Sequence, residues 1–244
     1  MSSIDPDLLS KVAYIGTEYA RPPLSGIVLR FPGLNHVSIK EDSDAAELEW
    51  GSAGALVVAP FHDPWGWMNP RVIDFVDDLI DGICAMHRLG PEVPLIATGG
   101  SMGGHGALLY AIKSRHRVAA CMAVCPVCDL PFHYTERPDL PRTMHHAFGS
   151  YGDIGQLLIE HSPLHQAELL PRIPYFLIHG ELDLRVKKVA HSDLMVAAMR
   201  RRGLEVDYVV CPKMYHCVPF DYSIHRRLID FVLRHLNPSS PFLV

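Results

Sequence analysis

No apolar run in the 244-residue chain approaches about 18 residues, so no membrane span is expected. No basic block is present and the formal net charge is −5, which argues against nucleic acid as the main partner. The opening Met1-Ser2-Ser3-Ile4-Asp5-Pro6 lacks a basic region followed by an apolar stretch, so no secretory signal is expected. There is no internal repeat, low-complexity tract or long linker. Charged residues are only 20% of the chain and hydrophobic ones 48%, which excludes a disordered polymer. Cysteine is sparse: Cys84, Cys121, Cys125, Cys128, Cys211 and Cys217. Without a secretory signal these read as reduced thiols in a cytoplasmic protein, and a chain of this length needs no disulfides to hold a core.

What is present is an alternation of short apolar runs with longer amphipathic ones. Strands are expected at 27–31, 55–59, 94–98, 118–124, 175–178 and 206–210. Helices are expected at 70–88, 101–114, 186–202 and 221–236. In the first helix Val72, Phe75, Val76, Leu79, Ile80 and Ile83 follow the 3,4 spacing of one buried face. Strands that are nearly all apolar are buried on both sides. Separated by helices, they imply a mostly parallel α/β sheet with helices on both faces. Residues 129–172, rich in Pro, His and Arg, are too long for a simple crossover. They read as an insertion near an active site, with one or two short helices, within a single domain spanning 1–244.

Chemistry concentrates at Gly99-Gly100-Ser101-Met102-Gly103-Gly104, a G-x-S-x-G motif between a strand and a helix. A serine at so tight a turn must adopt a strained backbone. Side chains two residues before or after it would strike neighbouring backbone, so glycine occupies both places. The turn lifts the Ser101 hydroxyl above the carboxyl edge of the sheet and aims the Met102 N–H at a developing oxyanion. A serine hydroxyl needs a base, and the base an orienting acid, in the chain order Ser, Asp or Glu, His. Asp183 in His179-Gly180-Glu181-Leu182-Asp183 is the preferred acid, with Glu181 and Asp129 as rivals. His216 is the only histidine in the loop between the last strand and the last helix, and position selects it from fifteen. His105 is expected to pack within its helix.

The elbow G-G-S-M-G-G, the H-G-E-L-D turn and the late Y-H loop resemble the α/β-hydrolase fold. More narrowly, they resemble the catalytic domain of the prolyl oligopeptidase superfamily, over roughly residues 25–236. The stretch from Cys125-Pro126-Val127-Cys128-Asp129 through Arg142 is similar to a subgroup of small, stand-alone hydrolases. The resemblance implies a catalytic triad of Ser101, Asp183 and His216. It also implies a second oxyanion donor in Phe31-Pro32-Gly33-Leu34-Asn35-His36, the Leu34 N–H rather than that of Gly33. Many esterases carry His-Gly where this chain has Pro-Gly. With no room for the N-terminal propeller that gates the larger peptidases, a compact serine esterase acting on a small-molecule ester is the first expectation. A peptidase with the same triad, cleaving a short peptide, is the alternative, and a non-catalytic binding module a third. No cofactor is expected.

Other residues carry weaker signals. Cys125-x-x-Cys128 has the spacing of a redox or zinc pair, but no second ligand pair follows, and no metal is expected. Trp65 and Trp67 would either stack on a substrate or pack their loop. Phe132, Tyr134 and Arg137, with Arg142, would either form an acyl or leaving-group pocket or tie the insertion to the body. An arginine there favours a substrate carboxylate. His36, His62, His133, His145 and His146 lie in segments that could line the cleft. The apolar tail Pro241-Phe242-Leu243-Val244 leaves a homodimer open.

Overall fold

The computed structural model describes residue 4, residues 6–219 and residues 221–236. Seven strands form one sheet: β1 (Ala13–Ile15), β2 (Gly26–Phe31), β3 (Ala55–Pro60), β4 (Leu95–Gly100), β5 (Val118–Val124), β6 (Tyr175–Gly180) and β7 (Val206–Cys211). Their order is β1-β3-β2-β4-β5-β6-β7, parallel throughout except that β1 runs antiparallel to β3. The six parallel strands are those expected from the apolar runs. At three residues, Ala13-Tyr14-Ile15 is too short for an alternation to stand out.

The helices are α1 (Pro6–Val12), α2 (Ala45–Ser52), α3 (Pro70–His87), α4 (Met102–Lys113), α5 (Leu130–Glu136), α6 (Leu140–Phe148), α7 (Ile154–Glu160), α8 (Ser192–Arg201) and α9 (Tyr222–Leu236). Successive strand residues turn to opposite faces. Ile27 and Leu29 of β2, Leu56 of β3 and Tyr175 and Leu177 of β6 enter the core beneath α1, α3, α4 and α8. Val28, Val57, Phe176 and Ile178 enter the other layer, beneath α2 and α9. The eight-residue α2 was not legible as an apolar stripe. It is fixed instead by its start: Asp44 caps the N–H groups of Ala46 and Glu47, and Glu47 reaches back to the Asp44 N–H at 2.9 Å. The expected helix over 186–202 begins later, at Ser192, after a 3-10 turn at Lys188–Ala190.

Between β5 and β6 lie three short helices, α5, α6 and α7, and a 3-10 turn at Ala167–Leu169, one helix more than the composition indicated. Their prolines are not breakers. Pro131 and Pro141 occupy the first turns of α5 and α6, where a missing N–H costs nothing. Asp129 and Asp153 cap Phe132 N and Gln156 N. These helices form a third cluster, in which Leu130, Leu140, Met144 and Phe148 pack on Trp67 and on Met102 beside the elbow serine. No helix among the described residues is long and apolar enough to cross a membrane.

One buried carboxylate joins α3 to α4. Asp77 accepts from Tyr110 Oη at 2.8 Å, Ser114 Oγ at 2.7 Å and the Arg115 N–H at 3.2 Å. Asp77→Ala removes one partner and leaves three donors unpaired. It is expected to cost about 2–4 kcal/mol in urea unfolding.

Candidate active site

The parallel strands end at one edge, and their connections there carry a run of left-handed backbone. Asn35 follows β2, Trp67 follows β3, Ser101 follows β4, Cys125 follows β5 and Cys217 follows β7, with φ of 66°, 43°, 58°, 43° and 63°. Such strain in non-glycine residues gathers where a site demands it. Ser101 has φ 58° and ψ −123°, and its N–H is tied to Val124 O at 2.9 Å. A Cβ on Gly99 would stand 2.4 Å from the Gly103 carbonyl, and one on Gly103 would stand 2.3 Å from Phe31 O. Helix α4 therefore seats directly on the backbone of β2 and β4. Met102 is the first residue of α4, where the N–H has no intrahelical acceptor.

The side chains expected to act together meet. Ser101 Oγ lies 2.8 Å from His216 Nε2, and His216 Nδ1 lies 2.8 Å from Asp183 Oδ2. The buried Asp183, 6% exposed, is held on its other side. Its Oδ1 accepts the N–H groups of Arg185 and Val186 at 2.9 and 3.0 Å. His179 Nε2 stands 3.4 Å from Oδ2, and the His179 ring is fixed by Ser192 Oγ and Val186 O. Burial opposes the Asp183 charge, but hydrogen bonds from His179, His216 and the Val186 N–H outweigh it and hold the carboxyl well below its usual range. For His216, burial likewise opposes the charged form. Hydrogen bonds to Asp183 and to Cys125 prevail and raise it to about 9.

The acid turn and the base loop are locked by backbone. Leu182 N donates to Met214 O and Glu181 N to Cys211 O. A Cβ on Gly180 would lie 2.3 Å from Met214 O, so only glycine permits the approach. The rival acids stand elsewhere: Glu181 is exposed beside Lys188, and Asp129 caps α5. His105 is fully buried on α4 beside Trp67 O, and burial pushes its pKa down to about 3.

A cleft of about 500 Å³ opens over Ser101 and His216. Gly33, Leu34, Trp67 and Arg137 stand in its wall, as do His36 and His133. Trp67 is buried and donates Nε1–H to Thr143 Oγ1 at 2.9 Å, so it serves the third core cluster as well as the wall. Arg137 is paired with Asp139 through Nε and a terminal nitrogen. Trp65, Phe132 and Tyr134 are not among the lining residues. Trp65 is covered by Arg142 and bonded to Asn35, Phe132 lies against His191 and beneath Lys187, and Tyr134 bonds His145. His146 bonds Asp63 and His62 is buried. The tail at 241–244 lies outside the described residues.

Three groups of donors lie close enough to suit a metal: Cys125, His216 and Cys217; Cys125, His179 and Asp183; His133, Glu136 and His191. In each, the donors are already engaged. His216 and His179 use both ring nitrogens, as described. His191 Nδ1 accepts the Cys128 and Asp129 N–H groups, which puts its proton on Nε2, aimed at Glu136 Oε2 at 2.9 Å. His133 Nδ1 shares that oxygen at 2.5 Å. Burial opposes charge on Glu136, but these two imidazoles outweigh it and bring its pKa down to about 2. The group is a carboxylate bracing two imidazoles, with His133 in the cleft wall. Cys125 neighbours Cys217, not Cys128. The Cys217 thiol, then burial, push the Cys125 thiol well up, so it stays protonated.

His191 and Arg185 were not singled out in the sequence, and Glu136 stood there only as a carboxylate, like Asp139, through which Arg137 or Arg142 would tie the insertion to the body. Glu136 and His191 meet only in three dimensions, 55 residues apart. Arg185, two residues after Asp183 and in the cleft wall, could have been found from the acid turn itself.

The open parallel sheet and elbow are those of an α/β hydrolase. Residues 75–239 match the prolyl oligopeptidase family, and the chain belongs to it. A stretch of 93 residues is 31% identical to S-formylglutathione hydrolase of Rattus norvegicus, covering 38% of this chain and 32% of the rat protein. The fold is similar to Porphyromonas gingivalis dipeptidyl peptidase 4 (TM-score 0.70, 16% identity, 91% of this chain, 33% of that one). It is also similar to a sugar hydrolase of Lactococcus lactis (TM-score 0.66, 18% identity, 93% and 94% covered). A truncated carbohydrate esterase from gut microbiota gives a TM-score of 0.71 at 16% identity, with 92% and 90% covered.

Gly103→Ala is expected to lower stability by about 1–3 kcal/mol in urea unfolding, because the new methyl meets backbone. Gly33→Ala, whose Cβ would meet nothing within 4 Å, should change it by less than about 0.5 kcal/mol.

Proposed function

We propose that this chain is a serine hydrolase that cleaves a carboxylic ester of a small molecule through an acyl-enzyme on Ser101. The observation that carries the reading is the hydrogen-bonded chain Ser101–His216–Asp183 at the mouth of the cleft. His216 Nε2 takes the hydroxyl proton as Ser101 Oγ bonds to the carbonyl carbon. Asp183 Oδ2 holds the Nδ1 proton and stabilises the imidazolium. The tetrahedral oxyanion is received by the N–H groups of Met102 and Leu34, each contributing about 3–4 kcal/mol to the transition state. Collapse breaks the ester C–O bond, and His216 passes its proton to the departing alkoxide. Water then attacks the acyl carbon by the same route, releasing the acid and restoring Ser101. This sequence uses no cofactor.

A peptidase with the same triad is the second reading, and family membership favours it. Among the described residues the cleft wall contains no aspartate or glutamate to receive a terminal ammonium, which tells against cleavage from a peptide's N-terminus.

Intact-mass labelling with a fluorophosphonate is expected to add one adduct to the wild type and none to Ser101→Ala. p-Nitrophenyl esters should turn over, and Pro-p-nitroanilides should not. Anilide turnover would move the peptidase reading ahead. Absence of labelling on folded wild type would overturn catalysis and leave a binding module. Asp183→Asn is expected to lower kcat about 10⁴-fold, since the wrong His216 tautomer is then held.

The labelling rate should rise with pH. His216 is a base only when neutral, and its raised pKa keeps it protonated below about 9. The rate should therefore climb to a plateau above that pH. In Asp183→Asn the midpoint should fall, because the hydrogen bond that raises it is weakened.

A further inference from the structure

Cys125 and Cys217 are 92 residues apart in the chain, yet the Cys217 N–H donates to Cys125 Sγ at 3.4 Å. Both sulfurs lie within 4.8 Å of each other and of a His216 ring nitrogen. Each residue sits in left-handed backbone, with φ of 43° and 63°. Side chains rarely adopt that conformation unless the surroundings hold them there. The pair that the spacing suggests is not the pair in space. Cys128 is buried, and its thiol turns to Pro126 O at 3.6 Å.

The two thiols differ in access. Cys125 is buried, whereas Cys217 is half-buried and stands in the cleft wall. The Cys217 sulfur also overhangs the elbow: a Cβ on Gly100, the residue before Ser101, would lie 3.3 Å from it. Its S–H points to Val124 O at 3.7 Å, while the Cys125 N–H is tied to Ile178 O at 2.7 Å. The loop that carries Cys217 is small and closed. Tyr215 N–H donates to Val218 O at 2.9 Å, so His216 and Cys217 are the two residues enclosed by one turn. A displacement of Cys217 is therefore transmitted to the neighbouring His216.

We propose that Cys125 and Cys217 are a modification site: a peroxide oxidises them to a reversible disulfide that draws His216 away from Ser101. The effect on Ser101 rests on the hydrolase reading, and the bond itself does not. Cys217, which faces the cleft, reacts first. Its sulfur attacks one oxygen of hydrogen peroxide, the O–O bond breaks, and water leaves with the thiol proton, giving a sulfenic acid. The Cys125 sulfur then displaces the hydroxyl, which departs as a second water with the Cys125 proton. Two thiols have lost two electrons, and one peroxide has become two waters. The new bond is about 2.0 Å long, so Cys217 must leave Val124 O and draw on the turn that holds His216. A dithiol reverses the change by exchange.

The test uses the full chain, reduced and desalted, then treated with hydrogen peroxide and quenched with N-ethylmaleimide. Peptide mass spectrometry without reductant is expected to find the Cys217 peptide joined to the one holding Cys125. Fragmentation places the bond, because Cys121 and Cys128 share that second tryptic peptide. In the same sample the fluorophosphonate labelling rate of Ser101 should fall at least about tenfold, and dithiothreitol should restore it. Cys125→Ser and Cys217→Ser, each scaled to its own reduced rate, should lose this response. No cross-link, or one between Cys125 and Cys128, overturns the proposal. So does a Cys125–Cys217 bond that leaves labelling unchanged, or a loss of labelling that persists in both serine variants. If reduced, folded wild type takes no label, the hydrolase reading falls and the effect on Ser101 with it, while the peptide map still decides the bond.

Discussion

The site depends first on how closely α4 sits on the sheet. With a Cβ at Gly103 only 2.3 Å from Phe31 O, no side chain fits at that point. The contact does two things at once. It forces the chain through the left-handed conformation of Ser101, at φ 58°, which lifts the hydroxyl off the sheet edge. It also sets the first peptide of α4 beside the end of β2, from which Gly33 and Leu34 enter the cleft wall. The nucleophile and both proposed oxyanion donors are thus positioned by one backbone-to-backbone approach. Rigid backbone suits this task, because donors aimed at a developing charge must not reorganise when it forms.

A second close approach of the same kind fixes the other half. Gly180 lets the end of β6 pass against the carbonyls of Met214 and Tyr215, and Asp183 and His216 project from these two adjoining segments. Each end of the triad is then over-determined. Asp183 accepts from two peptide N–H groups as well as from His216, so its carboxylate cannot rotate away. The cost of burying that charge is offset by these hydrogen bonds, and the carboxylate in turn stabilises charge on His216.

Much of this was legible in the sequence where local chemistry dictates geometry. The parallel strands are apolar because both their faces are covered, and each appears as a continuous run. The elbow is readable because glycine at positions 99 and 103 has a steric cause. Asp183 and His216 were found by chain order rather than by contact, since 33 residues separate them. What escaped is what tertiary packing decides. Three residues of β1 carry no periodicity, and α2 is set by a capping box rather than an apolar stripe. Pro131 and Pro141 look like loop residues and are instead first-turn residues of α5 and α6. Trp65 and Trp67, two positions apart, have opposite fates that no spacing reveals: one lies under Arg142, the other in the cleft wall and the core.

Charge follows the same layered logic as packing. The acidic groups nearest the cleft are turned inward and used. Glu47 closes a capping box behind Arg30, Glu136 braces His133 and His191, and Asp183 orients His216. Each is desolvated yet hydrogen-bonded, the condition under which a buried carboxylate is tolerable. Glu47, turned inward, leaves its partners Arg30 and Lys40 in the cleft wall. The two cations Arg30 and Lys40 in the lining therefore follow from how the scaffold satisfies Glu47. Arg137 and Arg185 fall outside this logic: Arg137 pairs with the exposed Asp139, and among the described residues no carboxylate pairs with the guanidinium of Arg185. Its position is set only by the turn that Asp183 closes. That same turn holds the tautomer of His216 through Asp183, so one short segment fixes both the triad acid and a residue of the cleft wall.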